Sequence, residues 1–279
     1  MYKAYPNLVD DYLKGNILTG KLLDSIIVEG IAKTSGSHLL EQHLDPMIDA
    51  IYSQLRSLIK PEKLTENQAK LFIGELSVFA RYNSTMLLRS ADNIRGFCPE
   101  LAQELTRNFL EEGGERGKLP AHYVVFSGAL LADLDFRVNG WMPRINTTRS
   151  LLTLIDILTW SHCPSTVLGM YYATEAVAIA ETMLLRDIID RLGVVTGRGS
   201  RDALPRLDFY FRMHLDENHD AATNSIAVEQ GHQDGIARFI RDADLFSFLQ
   251  PQIVDGFLQM LNAFVDQWVE LHHISASSN

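Results

Sequence analysis

Apolar residues return every three or four positions along most of this chain, and nearly every such run is bounded by a helix start or stop signal. Thr65 and Gln68 form a capping box ahead of QAKLFIGELSVFARYNSTMLLRSADNI. Asp45-Pro46 puts proline in the first turn of MIDAIYSQLRSLI, and Lys60-Pro61 closes that helix. Pro99 starts ELAQELTRNFLEE, which Gly113-Gly114 stop. Pro120 opens AHYVVFSGALLADLDF, a helix expected to fade at Asn139-Gly140. Two more helices are predicted from Thr147 to Trp160 and from Ser165 to Leu192, separated by Cys163-Pro164. Beyond the loop VVTGRGSRDALP, the pattern predicts one helix through FYFRMHLDENHDAATNSIAVEQGHQDGIARFI, with AATNS as its weak point, and a last one through IVDGFLQMLNAFVDQWVELHH. YVVF is a short β-like run inside a helical stretch. No repeat period or low-complexity linker divides the chain. The expectation is an all-α, single-domain bundle of seven to nine helices over residues 1–279. Residues 1–37 would pack on the bundle, and residues 275–279 would form a frayed tail.

Composition narrows the function classes. A hydrophobic content of 46% and a charged content of 22% describe ordinary globular material able to bury a sizeable core. The formal net charge of −10 repels phosphate backbones and anionic lipid, so neither nucleic acid nor membrane is an expected partner. The N-terminal MYKAYPNLVDDYLKG is too polar for a signal peptide, and the longest apolar run, Val167 to Ala180, is too short to span a bilayer. Cys98 and Cys163 form no CxxC pair, which argues against thiolate metal binding and favours a cytoplasmic location. A nucleophile elbow, a P-loop and a dinucleotide fingerprint are all absent.

Acids inside apolar stripes carry the chemistry. Glu75 falls within the stripe Leu71/Phe72, Val78/Phe79 and Met86, and Tyr82 lies about 20° around the helix from it, so both are expected to face the core. A buried carboxylate needs a partner; an arginine or the end of a neighbouring helix would serve as well as a ligand. Glu175 interrupts MYYATEAVAIA, which has no other charge; Glu181 follows six residues on, pointing elsewhere, as an outer-layer or surface acid. Asp216-x-x-His219 and Glu229-x-x-His232 each set carboxylate and imidazole on one helix face, a spacing by which bundles offer oxygen and nitrogen to iron or manganese, and His214 sits just upstream. His219 and His232 are about 20 Å apart along a straight helix, so both serve one cluster only if the helix is broken between them. The upstream pair is favoured slightly, because His214 lies within about one turn of it. His38, His43, His122, His162, His272 and His273 are isolated and read as structural or solvated.

These residues resemble a known superfamily. LTRNFLEEGGERGK…AHYVVFSGAL is similar to the Asn-acid-Gly-then-His segment of haem-oxygenase-like di-iron oxidases, which include the chlamydial death-domain-associating protein. LGMYYATEA resembles that family's Gly-x-x-Tyr-Ala-x-Glu helix, with its metal-ligand Glu at Glu175, and ELSVFARY resembles the early ligand helix, landing on Glu75. YFRMH and EQGHQDGI each resemble parts of its last ligand helix. The resemblance covers roughly residues 65–270 and departs where Tyr82 replaces a histidine. It implies a haem-oxygenase-like bundle with Glu75 and Glu175 pointing into one cavity. It also implies an O2-dependent oxidoreductase with one or two non-haem irons, acting on a small, amino-acid-like or fatty-acid-like substrate. The ligands would come from Glu75, Glu175, His214, Asp216, His219, Glu229 and His232, with Tyr82 as a redox or hydrogen-bonding group. A metal-free hydrolase or small-molecule-binding protein of the thiaminase II-like branch stands as the alternative, and a homodimer is compatible with a bundle of this size.

Overall fold

The computed structural model describes residue 34 and residues 36–114, 120–215 and 228–277. Its helices are α1 (Gly36–Leu39), joined by a π turn at Leu40–Leu44 to α2 (Asp45–Ile59), then α3 (Glu66–Ile94), α4 (Pro99–Glu112), α5 (His122–Leu134) and α6 (Asn146–Thr159). After these come α7 (Pro164–Val195), α8 (Pro205–Leu215), α9 (Val228–Arg241) and α10 (Gln250–Ser277). The fold is all-α, and no strand occurs among the described residues. None of the helices is long and apolar enough to cross a membrane among those residues.

Local signals explain most boundaries. Thr65 Oγ1 accepts from Gln68 N while Gln68 Oε1 accepts from Thr65 N, which starts α3. Prolines occupy the first turn of α2, α4 and α7. Gly113 caps α4, and Lys60, left-handed at φ 50°, ends α2. Two expectations need correction, and a third falls partly outside the described residues. Helix α5 stops at Leu134, because Asp135 turns left-handed at φ 53° and buried Phe136 and Val138 then pull an extended run onto the core. The predicted single histidine-rich helix is recorded as α8 and α9, and the residues between them, with AATNS, lie outside the described residues. The C-terminal helix is not frayed from residue 275: α10 continues to Ser277, and the carbonyl of buried Ser275 accepts from Gln68 Nε2 at 2.6 Å.

Helix α7 is the axis of the bundle, packing on α2, α3, α6, α8, α9 and α10. Its first half has no surface to spare for solvent: Val167 through Val177 are all buried. The crossing with α10 depends on two small residues. A Cβ on Gly169 would lie 1.8 Å from the Ile253 carbonyl oxygen, and one on Gly256 would lie 2.2 Å from that of Thr166. The backbones therefore approach as closely as only glycine allows. Helix α3 runs antiparallel to α7: Ser90 Oγ bonds the Tyr171 hydroxyl near one end, and Arg191 Nε bonds the Leu64 carbonyl at the other. A cavity of about 90 Å³ lies between them, closed by α5 and α8.

Candidate functional site

Four helices send an acid or a histidine to one end of this cavity, and a fifth sets a histidine against those acids from behind. Glu112 comes from the last turn of α4, His122 from the first of α5, Glu175 from the apolar half of α7, His214 from α8 and His232 from α9. Glu175, His214 and His232 are 2%, 1% and 1% exposed, so none is a solvated surface group. His232 Nδ1 stands between two carboxylates, 3.5 Å from Glu175 Oε2 and 3.6 Å from Glu112 Oε1. Its Nε2 hydrogen-bonds Glu111 Oε2 at 2.9 Å, and Arg107 holds Glu111 from the other side at 2.6 Å. His122 Nδ1 lies 3.4 Å from Glu112 Oε1, and its ring meets His214 edge to face at 5.0 Å between centroids.

Electrostatics follow from burial and neighbours. Burial pulls His232 down, but the bond to Glu111 and the close approach of Glu175 and Glu112 outweigh it, raising the imidazole well above its ordinary range. Burial lifts Glu111, yet His232 and Arg107 together hold it down to about 2. Glu112 is likewise lowered against its burial by His122, His232 and His214. His214 goes the other way: burial, aided by His122, takes it down to about 4, so it is neutral at physiological pH. Its Nδ1 lies 2.8 Å from the Tyr210 carbonyl, which assigns the ring proton to Nδ1 and the lone pair to Nε2.

The donor chemistry fits a hard or borderline metal ion: two carboxylates and three imidazoles. Of the eight buried side-chain nitrogen and oxygen atoms that make no hydrogen bond among the described residues, three, Glu175 Oε1, His122 Nδ1 and His232 Nδ1, belong to this cluster. Unpaired buried polar atoms that face one another in this way suit a group that completes its bonding with an ion or ligand. Among the described residues, no group of three or more His, Cys, Asp or Glu side chains is already closed around a point that would hold a metal. His232 instead stands as the cation between the acids, with Nδ1 3.5 Å from Glu175 and 3.6 Å from Glu112.

Several predicted residues lie elsewhere. Glu75 is fully buried but does not share the cavity with Glu175. Its Oε1 accepts from Trp141 Nε1 at 3.0 Å and from the Arg144 backbone N at 2.7 Å. The extended run after α5 covers that face of α3, and Gly74 makes room for the Trp141 ring. Seven residues on, the same face is open, so Tyr82 is 44% exposed and packs against Arg81 instead of the core. Asp216 and His219 lie outside the described residues, as does the side chain of Glu229. Glu112, Glu111 and His122 were missed as site residues. Glu111-Glu112 reads as a surface pair at a helix end, and only the Asn108-x3-Glu112 then His122 order within the resembling segment pointed to them. Glu181 is neither a surface acid nor turned away: it lines the cavity, and its Oε1 accepts from Tyr52 and Trp268.

Comparison with known proteins gives the fold. No curated protein matches this chain. Two crystal structures of a CADD-like protein of unknown function from Nostoc punctiforme are similar to it. One has TM-score 0.63 and 21% identity over 92% of this chain and 98% of that one. The other has TM-score 0.62 and 22% identity over 93% and 97%. At that identity the likeness is one of fold. A family model described as a domain of unknown function with a solved structure, DUF3865, matches residues 65–273. That span holds every described site residue, and this chain belongs to the DUF3865 family.

Proposed function

We propose that the chain is an O2-dependent oxidoreductase that holds one or two non-haem irons at the Glu112–His122–Glu175–His214–His232 cluster and acts on a small organic molecule in the adjoining cavity. The observation that carries this reading is the convergence of two carboxylates and three imidazoles, with three unpaired buried atoms, inside an apolar bundle. The resemblance to haem-oxygenase-like di-iron oxidases and the CADD-like fold of the structural relatives support it. Iron, when bound, would supply O2 activation and electron transfer. The remaining work belongs to side chains. Glu111 holds His232 by Nε2 and thereby aims Nδ1 at Glu112 and Glu175. The Tyr210 carbonyl fixes the tautomer of His214. Phe79 and Phe126 wall the cavity and keep bulk water from the acids. Tyr210 and Tyr123 are the tyrosines that line it, better placed than Tyr82 to supply a hydrogen bond or an electron.

A second reading, a metal-free hydrolase or binding protein, is favoured by one observation: protonated His232 already compensates the acids without a metal. One experiment separates the two. Purified protein is loaded anaerobically with Fe(II), its iron content measured, and O2 then titrated in. Bound iron that consumes O2, with loss of iron in Glu112→Gln and Glu175→Gln, is expected. No iron uptake and no O2 consumption would overturn the oxidase reading.

A further inference from the structure

Beyond the cluster, the cavity has a second polar end. Glu181 lies six residues after Glu175 on α7, about 9 Å along the helix, and both line the same cavity. The antiparallel register of α3 and α7 sets Phe79, Ala80 and Ala178 between the two acids, with Asn83 toward the Glu175 end, so the stretch leading from Glu181 is apolar. Both hydrogen bonds to Glu181, from Tyr52 and Trp268, fall on Oε1. Next to it, the Thr182 side chain is 9% exposed, lines the cavity and makes no hydrogen bond among the described residues. No lysine or arginine lines the cavity among those residues, whereas Glu112, Glu175 and Glu181 do. A carboxylate or phosphate head group at the Glu181 end would enter an acidic slot with no cation to meet it, at a cost no hydrogen bond from Thr182 offsets.

We propose that Glu181 and Thr182 form the head-group anchor of the substrate site, and that the site takes a small elongated primary amine, its ammonium on Glu181 Oε2 and the Thr182 hydroxyl and its carbon chain running past Phe79 toward Glu175. This names the substrate class for the oxidase reading above and rests on that reading for the chemistry at the far end. Burial without a neighbouring cation holds Glu181 up to about 7, the behaviour of an acid whose positive partner arrives with the ligand. Tyr52 and Trp268 fix the carboxyl plane from behind, so the anchor is a positioned group and not a mobile surface acid. The fatty-acid-like end of the expected substrate range has no counterpart in this lining.

Calorimetric titration of the full chain, metal-free and without O2 at pH 8, tests the anchor with butylamine, pentylamine, hexylamine and hexanoate. The amines should bind one to one, tightening roughly fourfold per buried methylene, and hexanoate should not bind. Glu181→Gln retains acceptors for Tyr52 and Trp268 and should weaken hexylamine at least tenfold; Thr182→Val should weaken it severalfold in a chain whose melting curve is otherwise unaltered. Absence of amine binding, hexanoate binding as tight as hexylamine, or undiminished binding in Glu181→Gln would each overturn the proposal. Amine binding in a protein that takes up no iron would leave the anchor standing and remove the oxidase reading. Iron uptake with O2 consumption but no amine binding would do the reverse.

Discussion

Glu181 lets the physical account be tested on stability alone. Its carboxyl has an ordinary value of 4.5 and is pushed up to about 7 by burial, against the lowering effect of the Trp268 and Tyr52 bonds. A group whose folded value is raised contributes stability that is fully present below its unfolded value and is lost as pH rises through the folded one. The wild-type chain therefore forfeits stability between about pH 4.5 and pH 7 through this residue. At about 1.4 kcal/mol for each tenfold change, the interval from 4.5 to about 7 is worth about 3 kcal/mol at pH 8 and under about 1 kcal/mol at pH 5. Glutamine keeps the acceptor and cannot ionise. Glu181→Gln should therefore melt close to wild type at pH 5 and about 5–10 °C higher at pH 8, both measured with chelator present. Tyr52, raised well above its ordinary value, stays protonated across this range and does not interfere. A difference between variant and wild type that does not change with pH would refute the reasoning, whatever its size.

His232→Ala should destabilise the chelated protein by about 3–5 kcal/mol in urea at pH 6, because it strips buried Glu175 of its positive partner. The penalty should shrink as pH climbs through the raised folded value of His232, since the wild type loses the same charge there. Glu75→Ala should cost about 2–3 kcal/mol by orphaning Trp141 Nε1 and the Arg144 N–H while leaving iron content unchanged; falling iron would return Glu75 to the metal site. Gly169→Ala should lower the melting temperature by the equivalent of about 1–3 kcal/mol or more, and a neutral result would mean that α7 and α10 do not cross as closely as described.

Most of the fold was legible because its boundaries are set locally. A proline at the first turn, a Thr-x-x-Gln box or a Gly-Gly stop acts within four residues, and each marks an observed helix end. What failed was decided at long range. Nothing in LADLDFRVNGW announces that Asp135 will turn left-handed, because the gain comes from seating Phe136, Val138 and Trp141 against α3. The tail SASSN reads as polar and loose, yet Ser275 is held by Gln68, more than two hundred residues away in sequence. Composition describes the solvent preference of a segment and is silent about a hydrogen-bond acceptor on a distant helix.

The site divides in the same way, and the division says something about how such sites are written into sequence. Glu175 was visible because it is a lone charge in a helix buried on every side: the cost of burying it is local information. Glu75 presents the identical signal, yet its Oε1 is held by Trp141 and the Arg144 backbone N–H while its buried Oε2 makes no hydrogen bond. An acid in an apolar stripe thus establishes that a partner exists, but not whether the partner is a metal or a backbone N–H. Glu112 and His122 show the converse. Each sits in the last or first turn of its helix, where charge is ordinary, and only the meeting of α4 and α5 with α7 and α9 turns them inward. A histidine in isolation reads as bland because its chemistry is supplied by residues that are neighbours only in space. His232 satisfies both conditions, buried and facing two acids from different helices. His232 is therefore tied to Glu175 by geometry, whereas Asp216 and His219, which sequence spacing slightly favours, lie outside the described residues.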